Sequence, residues 1–154
     1  MNRGSGAVPR TIVTTAFRIR EPGTPTGFVE VLVEGSGARS ERIILDPTLL
    51  RSNLRMLKKY SANIAADADD LAQKEEIPVG ETAVYSNVVH FSQMGGVAET
   101  NFGVFSLSDW VEATRNPGEK IVDIQSADAL RLISTTALQK KLLNELILLM
   151  GEET

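Results

Sequence analysis

Arg42-Ile43-Ile44-Leu45-Asp46-Pro47-Thr48-Leu49-Leu50 is the stretch on which the fold turns, because it passes from strand to helix within a few residues. Ile43, Ile44 and Leu45 suit a strand, and the aspartate and proline then end it. Asp46 is a good helix N-cap, and Pro47 fits the first helical position, where its missing N–H is not needed. Beyond them Leu50, Leu54, Leu57 and Ile64 recur at helical spacing, with Leu49, Met56 and Tyr60 widening the stripe. The spacing predicts a helix that runs on to Leu71 or breaks near Ser61-Ala62-Asn63. Ile77-Pro78-Val79-Gly80 stops it and marks a junction.

Working back from this stretch, Glu41 to Leu45 is the last of three predicted strands. Phe28 to Glu34 places Val29, Val31 and Val33 on one face and Glu30 and Glu34 on the other. Thr11 to Arg20 is rich in β-branched residues and sets Val13, Phe17 and Ile19 against Arg18 and Arg20. Pro22 to Gly27 and Gly35-Ser36-Gly37 supply the turns.

Working forward, the same order returns. Thr82 to Phe91 and Val97 to Leu107 read as strands around a Met94-Gly95-Gly96 turn. Ser108 to Ala113 reads as one helical turn and Asn116-Pro117-Gly118 as a loop. Ile121 to Ile124 and Leu130 to Ile133 read as a closing hairpin, and Ser134 caps a helix from about Thr135 to Met150. At an offset of 88 residues, Leu45-Asp46-Pro47-Thr48-Leu49-Leu50 falls on Ile133-Ser134-Thr135-Thr136-Ala137-Leu138, and Leu54 falls on Leu142. The expected fold is therefore α+β: two antiparallel strand-plus-helix (βββα-like) repeats around a shared core. Residues 1–10 form a flexible tail, 11–76 the first unit and 82–150 the second.

The two helices differ. The last one spreads Leu138, Leu142, Leu143, Leu146, Ile147, Leu149 and Met150 over about half of a helical wheel. That is wider than one sheet requires, so Leu138, Leu142, Leu143, Leu146, Ile147 and Met150 are the expected interface with a second copy. A helix wedged inside one domain is the alternative. The first helix gathers Arg51, Arg55, Lys58 and Lys59 opposite its apolar side, a group suited to an anion, an acidic neighbour or phosphate, or simply to solvent.

Charge divides along the chain in the same sense. The formal net charge of the 154 residues is -4, but residues 1–60 carry ten Lys/Arg against five Asp/Glu, and residues 61–154 six against fifteen. Such asymmetry favours association of basic and acidic surfaces. The absence of cysteine excludes disulfides, thiolate zinc sites and thiol nucleophiles. His90, the only histidine, sits mid-strand between Val89 and Phe91 with no recognisable nucleophile or orienting partner, and reads as structural. Asp67-Ala68-Asp69-Asp70 lacks the spacing and glycine of a calcium loop. The glycines at 35, 37, 95 and 96 lack the lysine and strand–loop–helix setting of a phosphate loop. Glu99 and Asp109 form no evident pair, and Trp110 has no assigned role. No catalytic residue, metal or cofactor is expected. The N-terminus has no apolar stretch of the signal-peptide kind, and Leu146 to Met150 falls far short of the roughly 20 residues that span a bilayer. A cytoplasmic protein without a membrane segment is the expectation.

Arg42-Ile43-Ile44-Leu45-Asp46-Pro47, its leucine-spaced helix and Tyr85-Ser86-Asn87 together resemble a bacterial family of small proteins of unknown function. Its members share a strand–strand–helix unit, an R-I-I-L-x-P lead into the helix and an upstream Y-(A/S)-N strand motif. Here the two motifs are divided between the halves. The resemblance covers about half the chain and implies a fold but no activity. The order of elements is also similar to PUR and Whirly proteins, which bind single-stranded nucleic acid.

These readings point to a non-enzymatic module that associates with itself and with another protein, as an assembly or adaptor component. A single-stranded DNA or RNA binder using Arg18, Arg20, Arg51, Arg55, Lys58 and Lys59 is the alternative.

Overall fold

Strand β1 (Arg10–Arg20) is followed by β2 (Val29–Gly35), β3 (Ser40–Leu45), α1 (Thr48–Ser52) and α2 (Leu54–Ala62). Then come β4 (Val84–Ser86), β5 (Val88–Met94), β6 (Val97–Phe105), β7 (Ser126–Thr135) and α3 (Thr136–Gly151). This computed structural model describes residues 10–20, 27–36, 40–65, 71–77, 83–106 and 126–151. Arg10, predicted as the end of the tail, instead begins β1; residues 1–9, the Asp67–Asp70 cluster, the Pro78–Gly80 stop, the 108–113 turn with Asp109 and Trp110, the 116–118 loop and the 121–124 strand lie outside the described residues.

The seven strands among the described residues join one mixed sheet in the order β4-β3-β2-β1-β7-β6-β5. The sequence-based expectation of two antiparallel strand-plus-helix repeats is corrected here. The described chain is more strand than helix, and two of its pairings are parallel: Arg10–Val13 of β1 beside Leu130–Ile133 of β7, and Val84–Ser86 of β4 beside Ile43–Leu45 of β3. Hydrophobic alternation marks a strand and its buried face, but it does not name a distant partner. Hairpins are legible from local turns, and the parallel pairings have no turn to announce them.

The chain changes strand partner at two places. The first part of β1 lies on β7, and from Thr14 onward it pairs with β2. Its register shifts between Thr14 and Ala16, leaving Thr15 as the extra residue. Such a bulge reverses the alternation. Hence Ile12 is buried while Val13, expected on the core face with Phe17 and Ile19, is 53% exposed. Gly35 pairs with Thr14 at this crossing, where a Cβ on it would collide with Ile12 Cγ1 and stand 2.9 Å from the Val13 carbonyl oxygen. Beyond the crossing, the outer edge of β1 meets residues 73–75. The Lys74 amide donates to the Phe17 carbonyl (3.0 Å), and the Ile19 amide donates to Gln73 Oε1 (2.6 Å).

The second change of partner occurs at Asn87. β4 lies on β3 and β5 on β6, so the two ends of the strand order are consecutive in the chain and the sheet curls until they meet. Asn87 is buried and behaves as a spare peptide group. Its Oδ1 accepts from the Phe105 amide (2.8 Å), and its Nδ2 donates to the Phe105 carbonyl (3.2 Å). Ser86, also buried, donates to the Gly103 carbonyl (2.8 Å), and its own carbonyl accepts from the Asp46 amide (2.8 Å). The Tyr-Ser-Asn motif is thus a strand crossing, tied to the start of the first helix.

Helix boundaries follow the expected chemistry with small shifts. Asp46 Oδ1 accepts from the Thr48 amide (3.1 Å), but the helix starts one residue later than expected, with Pro47 at the cap position and no side-chain capping bond there. The helix is interrupted at Asn53 and ends at Ala62, at the expected break near Ser61-Ala62-Asn63 rather than at Leu71. β7 extends to Thr135, whose hydroxyl accepts from the Leu138 amide (3.2 Å), so the cap falls one residue later than Ser134. The core lies between the inner sheet face and α3, with Ile12, Phe17, Val31, Val33, Ile43, Leu45, Phe102, Leu130, Leu132, Leu142 and Leu146 all buried in it.

Candidate functional site

A groove of about 490 Å³ lies between α1–α2 and β5. One wall is Leu49, Leu50, Asn53, Met56, Leu57 and Tyr60, a row at helical spacing. Val88, Val89, His90, Phe91 and Phe105 line the rest. Two features of the sequence create it. The break at Asn53 leaves only short helices to cover this part of the sheet, and the partner change at Asn87 leads β5 away from β3. The wall is not covered to its rim: Met56 is 70% exposed.

The inner end of the groove is held by a polar network. Tyr60 stacks obliquely on Phe91, with ring centres 5.8 Å apart, and its hydroxyl donates to Gln139 Oε1 (3.3 Å). Gln139 is fully buried on α3, and its amide nitrogen donates to the carbonyls of Ser92 (3.3 Å) and Glu99 (3.0 Å) and to Thr100 Oγ1 (3.1 Å). Burial pushes the Tyr60 phenol above its ordinary pKa, a hydrogen bond with Gln93 opposing it more weakly, so the group stays protonated at neutral pH. Ser61 bonds to Asn144, and Lys140 donates to the Ile64 carbonyl (3.0 Å). These contacts seat α2 on α3 and fix the groove's back wall.

The structure divides the six cations proposed for nucleic-acid binding. Arg18 and Arg20 line a separate cleft of about 370 Å³ with Leu32, Glu75, Glu76 and Ile77. Arg18 donates to the Glu75 carbonyl (2.7 Å), and Arg20 pairs with Glu30. Arg51 is half-buried on α1. Arg55, Lys58 and Lys59 stand exposed on α2, and none of the three forms an ion pair among the described residues. Arg55, Lys58 and Lys59 share the helix that walls the groove, but none of the three lines it.

The apolar arc proposed as an oligomer interface is largely spent inside the chain. Leu142, Leu143, Leu146 and Met150 are buried, Leu138 packs against the core from its edge, and Ile147 is half-buried. Leu148, which the spacing does not single out, is the helix's exposed leucine at 56%. His90 reaches the groove as an exposed side chain rather than a core one. Glu99 faces Arg131 (3.7 Å) and accepts from Asn101 (2.7 Å). No group of three or more potential metal-binding side chains occurs among the described residues, and no described helix is long and apolar enough to cross a membrane.

Two polar residues escape a reading of the sequence. Glu30 is buried between Arg20 and Arg42 on neighbouring strands. Burial, the largest influence, raises its pKa, but hydrogen bonds from Arg42 and Arg20 and the two positive charges outweigh it, leaving the carboxyl below its ordinary value. Gln139 is hidden inside the leucine stripe of α3. It does leave a signal: an amide between Leu138 and Leu142 on a buried face requires partners.

Comparison of the chain with protein-family models, with curated proteins and with solved structures found no match.

Proposed function

We propose that the chain is a non-enzymatic, self-associating assembly or adaptor module whose protein contact is the groove between α1–α2 and β5. The observation that carries this reading is the groove itself: an apolar trough walled by a helix whose Met56 is largely exposed. A groove of this shape takes apolar anchors from another chain, and their burial drives association. The contact proposed from the sequence moves accordingly, from α3, whose apolar arc serves the core, to α1–α2. Light scattering at micromolar concentration tests it. The expected result is a dimer or larger species that persists in high salt, because apolar burial is not screened. A clean monomer at every salt concentration overturns self-association.

A second reading, a single-stranded nucleic-acid binder, is favoured by Arg55, Lys58 and Lys59 lying on the helix that also presents Tyr60 to the groove. A labelled oligonucleotide should then bind most tightly at low salt and be released by R55E/K58E. Failure to bind at low salt removes it.

A further inference from the structure

We infer that the groove's occupant is an acidic amphipathic helix, apolar along the face that enters the groove and carboxylate-bearing beside it. The inference rests on the protein-binding reading of the groove, for which such a helix competes with a second copy of this chain.

Shape gives the apolar half of the argument. On α2, Met56 and Tyr60 lie one turn apart along the wall with Leu57 beside them, and Leu49 and Leu50 of α1 extend it beyond the break at Asn53. A helix laid along that wall presents anchors at the same pitch of about 5.4 Å. Leucine-sized side chains at every third or fourth position enter the trough between Leu57 and Phe91, both half-buried, and exclude water from them.

Charge gives the other half. No described lining residue is acidic, and the polar side chains that reach the groove are Asn53, Tyr60 and His90. On a wheel of about 100° per residue, Lys59 lies about 60° round from Met56, with Arg55 and Lys58 further back. These three cations are exposed and take no carboxylate partner among the described residues, whereas Arg20, Arg42, Lys74 and Lys141 each hold one. A basic ridge on a chain of net charge -4 attracts a partner carrying carboxylates on the flank nearest Lys59.

The test uses the full chain and three fluorescein-labelled helix-forming peptides of equal length, read by anisotropy at low salt. The first has leucine at every third or fourth position and glutamate on its remaining face. A second replaces glutamate by glutamine, and a third replaces leucine by alanine. The glutamate peptide is expected to bind about threefold tighter than its glutamine twin, as one or two exposed pairs at Lys59 and Arg55 allow. High salt or R55Q/K58Q/K59Q should erase that advantage, and the alanine peptide should not bind. Equal binding of the first two overturns the acidic partner while leaving the groove reading intact. Binding of the alanine peptide as tightly as the leucine peptide, or failure of all three, overturns both. Displacement of the glutamate peptide by a single-stranded oligonucleotide assigns the ridge to phosphate and overturns the inference as well.

Discussion

Two helical segments, α3 and α1–α2, have apolar arcs of similar width in the sequence and opposite fates in the fold. α3 is one unbroken helix seated on β1, β6, β7 and α2, and its leucines complete the core. α1–α2 is interrupted at Asn53, rests on β5 and α3, and leaves Met56 in solvent and a groove beneath its inner row. The difference lies in what the sheet presents to each helix. α3 crosses strands whose inner residues are continuous, while α1–α2 crosses the place where β4 gives way to β5. The width of an apolar arc therefore measures how much surface must be covered, and not which chain covers it.

The largest expected effect is on the core side of this contrast. Leu142→Ala should cost about 3 kcal/mol in urea denaturation, the range for a leucine removed from a packed core. Met56→Ala should cost less than about 0.5 kcal/mol, since its side chain is mostly exposed already. Equal costs would break the comparison. Gln139→Ala should come next, at about 2 kcal/mol, because it orphans Thr100 and the buried carbonyls it serves.

A control that touches neither helix is Glu30. Its folded pKa lies below the ordinary carboxyl value, so its contribution is fully present above that value and is lost as pH falls through the lowered one. Glu30→Gln should cost about 2 kcal/mol at neutral pH and remove that part of the acid sensitivity. Thermal melting between neutral pH and about pH 3 checks both, and an unchanged pH profile would contradict the Arg20–Glu30–Arg42 account. Tyr60→Phe, which removes one hydroxyl bond between α2 and α3, should cost only about 1 kcal/mol. A cycle with Gln139→Leu measures the coupling directly.

Local features are legible in the residues, and distant ones are not. The Asp46–Thr48 bond ahead of the first helix, the Gly95 hairpin turn with its φ of +64°, and the valine face of β2 all depend on neighbours in sequence. Alternation alone misplaces Val13, because a single extra residue at Thr15 inverts a period of two and no side chain between Ile12 and Phe17 announces the bulge. The parallel pairings and the meeting of sheet ends at Asn87 depend on residues far apart in the chain. Tyr85-Ser86-Asn87 is noticeable as a motif, but its work on Gly103 and Phe105 is not. At the candidate site the apolar row and the cations of α2 follow from spacing. The groove does not, since it exists only once β5 is placed opposite that row.

The central claim is that the exposed contact lies on α1–α2 and not on α3, and one measurement separates the two. Solution mass by light scattering is compared for the wild-type chain, Met56→Glu and Leu148→Glu, each placing a charge at an exposed apolar position. The account predicts an assembled wild type, an assembled Leu148→Glu and a monomeric Met56→Glu that melts within a few degrees of the wild type. An assembled Met56→Glu beside a monomeric Leu148→Glu would return the contact to α3 and contradict the account.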